Sequence, residues 1–242
     1  MRELSLFTGS GGGLLGSILL GWKTIGAVEI EEYPCRVLEQ RQKDECLELF
    51  PIWQMDIREF NARIAPMYRG VVDVITGGDP CQGNSAAFTH GKRKESLALE
   101  FIETIRIIRP TYVLRENPAK LRQDAPSPDW KFKEWIEDLG YTATITQIKA
   151  CCVGADHRRA RMFVLGQLSN TMCEGLEWNE FEEDPEQKKR VCKISRQDRG
   201  TTTPRICGKP NDVAHIVDRL KAIGNGQVSA VVRTAWEVLT EC

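Results

Sequence analysis

No run of about 18 apolar residues occurs in this chain, and Met1-Arg-Glu-Leu lacks the basic and apolar regions of a secretory leader, which argues against membrane insertion and export. A basic excess is missing too. Lys and Arg number 33 against 34 Asp and Glu, a formal net charge of -1, so this is no histone-like protein holding polyanions by bulk charge. Any polyanion must be met by a local patch. The nine cysteines are odd in number and include no C-x-x-C pair, which disfavours a disulfide framework and a structural zinc site. Reduced thiols are the expectation, with one available as a nucleophile. Neither an internal repeat nor a long low-complexity stretch is visible. What is present, 242 residues with 41% hydrophobic and 28% charged, is an ordinary globular balance, enough for one large domain or two small ones.

The first half alternates short apolar runs with helix-period segments, the α/β pattern of a parallel sheet flanked by helices. Leu4 to Phe7 reads as a strand entering the glycine-rich turn Thr8 to Gly13, with a helix through Leu14, Leu15, Ile18 and Leu19. Ile25 to Ile30 is a second strand. Val71 to Thr76 and Thr111 to Leu114 are β-branched strands, expected to stop at Gly77-Gly78 and at Arg115-Glu116-Asn117-Pro118 respectively. Helices are expected over Leu97 to Ile108 and Trp130 to Leu139, and strands over Thr142 to Ile148 and Arg161 to Leu165. Composition then shifts: residues 174–186 are acidic without a basic residue, and 188–209 are basic with Asp198 alone opposing. Apolar periodicity returns at Val213, and Ala222 to Gln227 leads into a last helix through Val228, Val231, Val232 and Val238.

Three motifs carry chemistry. Phe7-Thr8-Gly9-Ser10-Gly11-Gly12 is a strand-to-helix glycine turn of the kind that lets backbone approach a ligand, although close packing alone also explains such a turn. Glu29, about 20 residues on at the end of a strand, is placed to bind ribose hydroxyls of an adenosine-containing cofactor, whereas Glu31 and Glu32 read equally as an acidic first helical turn. Gly77-Gly-Asp-Pro-Cys81-Gln82 puts a cysteine at the carboxyl end of a buried strand, where open α/β sheets keep their active sites. Arg115-Glu116-Asn117 brings an acid to the same crevice, so Cys81 and Glu116 make a nucleophile and proton-donor pair.

In order along the chain, Phe7-x-Gly9-x-Gly11-Gly12, Glu29, Met55-Asp56-Ile57, Gly78-x-Pro80-Cys81-Gln82-x-x-Ser85, Glu116-Asn117, Arg159-x-Arg161-x-Phe163-x-x-Gly166 and Gly224-Asn225 resemble the DNA cytosine-5 methyltransferases. The resemblance covers about residues 4–166 and 211–240 and is closest to compact phage and prophage members. It implies a Rossmann-like, S-adenosylmethionine-dependent methyltransferase fold with a mostly parallel sheet, formed by residues 1–166 and 211–242, and a very small target-recognition region at 167–210. It further implies that Cys81 adds to ring carbon 6 of cytosine, that Glu116 holds a proton toward ring nitrogen 3 and the exocyclic amine, and that Arg159 and Arg161 brace the site. Phe7, Gly9, Gly11 and Gly12 would line the cofactor turn. Glu29 and Ile30 would hold the ribose side, Asp56 and Ile57 the adenine, and Asn225 the same pocket; no metal is implied. The partner would be double-stranded DNA with its cytosine flipped out of the stack, contacted by the 188–209 stretch and by the basic loop from Phe88 to Lys94. The setting would be the cytoplasm of a bacterium or phage-infected cell. Oligomeric state is left open, a monomer being the simplest expectation.

Three residues depart from the family pattern, one of them His157 in place of the common Gln before the arginine pair, a substitution that resembles some phage members. Asp79 replaces the usual apolar residue two positions before Cys81, and an unpaired carboxylate there would raise the thiol above its ordinary ~8.5. Pro118 replaces the usual Val after Glu-Asn and removes a backbone donor. They motivate an alternative in which a weakened methyltransferase homologue acts as a DNA-binding regulator. A second alternative is the same chemistry on RNA, and a distant one is a nicotinamide-dependent oxidoreductase, which would leave Cys81 and Glu116 without a role.

Overall fold

The computed structural model describes residues 1–80, 97–118, 128–155, 159–168 and 227–240. Cys81, the basic loop through Lys94, His157, Asn225 and residues 169–210 lie outside the described residues. The elements run β1 (Arg2–Leu6), α1 (Gly12–Leu19), β2 (Lys23–Glu29), α2 (Glu32–Lys43), β3 (Ile52–Gln54), α3 (Ile57–Arg63), β4 (Val74–Gly77), α4 (Ala98–Ile108), β5 (Tyr112–Pro118), α5 (Pro128–Asp138), β6 (Tyr141–Lys149), β7 (Ala160–Leu168) and α6 (Ser229–Thr240). Seven strands form one sheet in the order β3-β2-β1-β4-β5-β7-β6. The five from β3 to β5 are parallel, and β7 is antiparallel to both neighbours. The α/β expectation and its mostly parallel sheet are therefore met.

Alternation along the strands sorts their residues between two helical layers. Leu4, Leu6, Ile75, Val113 and Val164 face a core shared with Phe60 of α3, Phe101 of α4 and Phe132 of α5. Val74, Leu114, Phe163 and Leu165 face the other way, against Val231, Val232 and Ala235 of α6. Several element ends differ from expectation, and two of them bear on the site. Val71 and Val72 form a turn ahead of β4, Val72 burying its side chain without joining the ladder. Arg115-Glu116-Asn117 does not end its strand: β5 continues to Pro118, because its antiparallel register with β7 runs from Tyr112 opposite Gln167 to Pro118 opposite Arg161. Proline is tolerated at that last position, where no central ladder donor is required.

Beneath α1 lies a buried acid. Glu3 of β1 is 0% exposed, and its carboxylate accepts from Thr76 Oγ1 (2.6 Å), Ser17 Oγ (2.7 Å) and Thr24 Oγ1 (2.8 Å). Burial pushes this carboxyl above its ordinary value, more than the three hydroxyls hold it down. Stability that depends on the protonated form is fully present below the ordinary carboxylate range and is lost as pH rises through the raised value. The urea midpoint of the native protein is accordingly expected to fall between mildly acidic and mildly alkaline pH, and Glu3→Gln to flatten that fall. Equilibrium unfolding at the two pH values checks it.

Candidate active site

The strand order reverses between β1 and β4, and at such a point the carboxyl ends of the two strands diverge into a crevice. The glycine turn after β1 occupies one side. Phe7 adopts φ 51 and Gly9 φ 56, so the chain leaves β1 through two consecutive non-extended kinks, the first at a bulky residue that seldom takes that conformation. Thr8 fastens the turn to β2, its backbone N–H donating to Val28 O at 3.1 Å and its hydroxyl to Ser5 O at 3.0 Å. Glu29, 8% exposed at the end of β2, accepts from the N–H of Gly9 (2.7 Å) on one oxygen and from those of Ile30 and Glu31 (2.9 Å each) on the other. The acid expected at the ribose thus also builds the turn. Glu31 takes the N-cap position of α2 and Glu32 its first turn, in agreement with the acidic-turn alternative for that pair.

Several features leave this side ready for a ligand. Ser10 Oγ is buried with no hydrogen-bond partner among the described residues. Ile30 is 57% exposed, an apolar plate beside Glu29. Asp56 caps α3, accepting from Arg58 N at 2.8 Å while its side chain stays 40% exposed. Ile57, by contrast, is 3% exposed and its side chain packs in the core with Phe60. Gly12 is explained differently from Gly9. A Cβ on Gly12 would lie 2.4 Å from Gln227 O, and one on Gly13 2.3 Å from Gln227 Oε1, whereas one on Gly9 would meet nothing within 4 Å. The bare backbone at the start of α1 is filled by the C-terminal segment, and Ser229 Oγ donates to Gly12 O at 2.8 Å.

The other side of the crevice is built by β4, β5 and β7. The β5–β7 register sets Phe163 opposite Glu116 and Arg161 opposite Pro118. Glu116 and Arg161 are then diagonal neighbours on one sheet face, the face turned toward α6. Arg161 Nε makes an ion-pair contact with Glu116 Oε1, but without hydrogen-bond alignment, and that oxygen keeps no hydrogen-bond partner among the described residues. Gln227 Nε2 donates to the other oxygen at 3.5 Å. Gly78 forms a wall against this carboxyl: a Cβ there would sit 2.9 Å from Glu116 Oε2. Burial raises the Glu116 carboxyl above its ordinary value, outweighing the charges of Arg161 and Arg159 and the hydrogen bond from Gln227. The Arg159 guanidinium is drawn below its ordinary value by burial and by the like charge of Arg161. A buried carboxyl biased toward its protonated form is suited to giving a hydrogen bond or proton to a polar heterocycle.

The charge of Asp79 is matched. Its Oδ1 accepts from Arg115 Nε at 2.5 Å and its Oδ2 from Arg115 Nη2 at 3.1 Å, and both side chains are 1% exposed. Among the described cysteines, burial, with help from Glu29 and Glu39, pushes the Cys35 thiol up to about 12, which removes it as a nucleophile. Sequence reasoning did not single out Gln227, Ser10 or Arg115 as site residues. An arginine inside an apolar strand was the one available signal; the partner of Gln227 is 111 residues away, and no local pattern announces it.

A mostly parallel sheet with this switch point, glycine turn and acidic second strand is the Rossmann-like architecture of methyltransferases. It is shared with a prophage-encoded Escherichia coli protein assigned as a DNA modification methyltransferase (TM-score 0.54, 24% identity, 69% of this chain and 47% of that one) and with a DNMT2 variant from Spodoptera frugiperda (TM-score 0.55, 16% identity, 75% and 56%). The family model for the C-5 cytosine-specific DNA methylases matches residues 1–222, and the chain belongs to that family. It is 30% identical over 183 residues to the type II methyltransferase M.Eco47II of Escherichia coli, covering 72% of this chain and 41% of the relative. It is 27% identical over 184 residues to the type II methyltransferase M.HgiDI of Herpetosiphon aurantiacus, covering 72% and 54%. The chain spans about half the length of these curated relatives.

The two glycines separate by substitution. Gly12→Ala forces a methyl into the Gln227 carbonyl and is expected to destabilise by about 1–3 kcal/mol through overpacking, while Gly9→Ala meets only backbone strain of about 1–2 kcal/mol. Thermal unfolding should rank Gly12→Ala below Gly9→Ala.

Proposed function

We propose that this protein transfers a methyl group from S-adenosylmethionine to carbon 5 of cytosine in double-stranded DNA. The observation that carries the reading is the buried Glu116 carboxyl, raised toward its protonated form and walled by Gly78, at the end of the strand beside the one that leads to Cys81. Bound S-adenosylmethionine supplies an electrophilic methyl group. Glu29 and Ile30 would receive the ribose and adenine side, Asp56 and the backbone of Ile57 the adenine edge, and Phe7, Gly9, Gly11 and the unpartnered Ser10 hydroxyl the amino-acid end, with Gly12 and Asn225 completing the pocket. The Cys81 thiolate adds to carbon 6 of a flipped cytosine. Glu116 protonates ring nitrogen 3 as the electron pair moves through the ring, and carbon 5 becomes the nucleophile that accepts the methyl. Loss of the carbon-5 proton then expels Cys81 and restores the ring. Arg161 and Arg159 hold Glu116 in place and neutralise developing charge.

The target-recognition region expected over residues 167–210 is read as starting after Leu168, since Gln167 and Leu168 complete β7, and its basic half, with the Phe88 to Lys94 loop, as the phosphate contact. A bacterial cytoplasm or a phage-infected cell is the fitting setting, and pairing with a restriction enzyme is compatible with the type II relatives. The two departures behind the regulator alternative are both accommodated, Asp79 by Arg115 and Pro118 at a strand end.

Incubation with tritiated S-adenosylmethionine and DNA is expected to give alkali-stable label in 5-methylcytosine, and bisulfite sequencing of DNA from expressing cells to give its context. Cys81→Ser should abolish labelling, and Glu116→Gln should reduce kcat by about 10²–10⁴-fold. No label on any DNA by protein that binds the cofactor would overturn the reading. The pH profile of kcat should be bell-shaped: the acid limb rises as Cys81 becomes thiolate, and the alkaline limb falls as pH passes through the raised Glu116 value and the proton donor is lost.

A further inference from the structure

We propose that Asp79 and Arg115 are a positioning pair that clamps the start of the Pro80-Cys81 loop to the strand carrying Glu116, acting from the opposite face of the sheet. The inference rests on the reading above, in which Cys81 and Glu116 work on one base.

The backbone register between β4 and β5 ends at Gly77 opposite Arg115. Asp79 lies two residues past that last pair, where the chain leaves the ladder on its way to the nucleophile. The side-chain pair takes over there. Two parallel bonds, 2.5 Å from Nε and 3.1 Å from Nη2, fix Asp79 to Arg115 in the fork geometry that restrains orientation as well as distance. The fork itself is held. Arg115 stands with its guanidinium carbon 4.3 Å from the centre of the Phe132 ring, and Phe132 is 0% exposed in the core beneath α5. Strand alternation explains the division of labour: Arg115 and Asp79 point to the α5 side, while their chain neighbours Glu116 and Gly78 point to the α6 side and touch each other. Moving Asp79 therefore moves Gly78, and with it one wall of the Glu116 carboxyl.

Both side chains are 1% exposed, and a buried ion pair that loses one member leaves an uncompensated charge, so each residue is tolerable because the other is present. The departure at position 79 and the arginine at 115 are in this view one change made twice. The pair also keeps the Asp79 charge from acting alone on the thiol two residues along.

The test compares Asp79→Asn, Arg115→Met, their double variant and Arg115→Lys, which keeps the charge but not the fork, after circular dichroism shows each folded. Peptide-resolved alkylation of Cys81 across pH is expected to shift its midpoint down by about one unit in Asp79→Asn, which removes a negative charge near the thiol, and up by about one in Arg115→Met, which removes a positive one. The double variant returns near the native midpoint. A merely structural role gives no such opposite displacement. Methyl-transfer kcat should fall about tenfold or more in each single variant, Arg115→Lys included, while affinity for S-adenosylmethionine stays within about twofold. The double should be no slower than the worse single. Native midpoints and native kcat in the singles, or losses that simply add in the double, overturn the clamp. A native protein that methylates no DNA defeats the proposed function instead, and the alkylation series still decides the clamp.

Discussion

The site depends on the absence of a side chain at Gly12 and Gly13, which lets the segment before α6 press into the start of α1. Gln227 then reaches from the glycine turn to the Glu116 carboxyl, and so touches both halves of the crevice. Without that approach the parallel sheet still forms, since its core is supplied by β1, β4, β5 and the α3–α5 layer. The crevice, however, loses its floor. Glycine in this turn is therefore first a packing device and only then a way of admitting a ligand, the reverse of the usual reading of such motifs.

Desolvation is used in opposite ways on the two faces of one strand. On the α6 face Glu116 is buried without full hydrogen bonding, so burial wins over two arginines and favours its protonated form. On the α5 face, one residue earlier, Arg115 is buried more deeply still but is matched by Asp79. Adjacent positions thus hold an acid biased toward its protonated form and a matched ion pair because the strand period of two sends them to different surroundings.

The strands lining the crevice were legible because they are short β-branched or apolar runs, and Cys81 and Glu116 were legible because chemistry-bearing residues follow such runs. Helix α2, strand β3 and helix α3 were not. Of α2 only Cys35 and Leu38 are buried, too few to mark a stripe, and β3 has three residues. The end of β5 misled in a more instructive manner. Arg115-Glu116-Asn117 has the composition of a turn, yet all three are buried; the partner of Arg115, Asp79, and those of Glu116, Arg161 and Gln227, lie 36 to 111 residues distant in the chain. Polar residues satisfied by remote partners look like loop to any local pattern. For the same reason Asp79 looked like a lesion: its partner is one strand away in space and 36 residues away in sequence.

The hydrogen bond from Ser229 to Gly12 spans 217 residues. During synthesis the sheet strands emerge first and can pair in order, but the contact that seats the glycine turn waits for nearly the whole chain. Contacts of such separation close late and slowly. The sheet can therefore pair before the contact that seats the glycine turn is made, and the crevice is the last part of the fold to be completed.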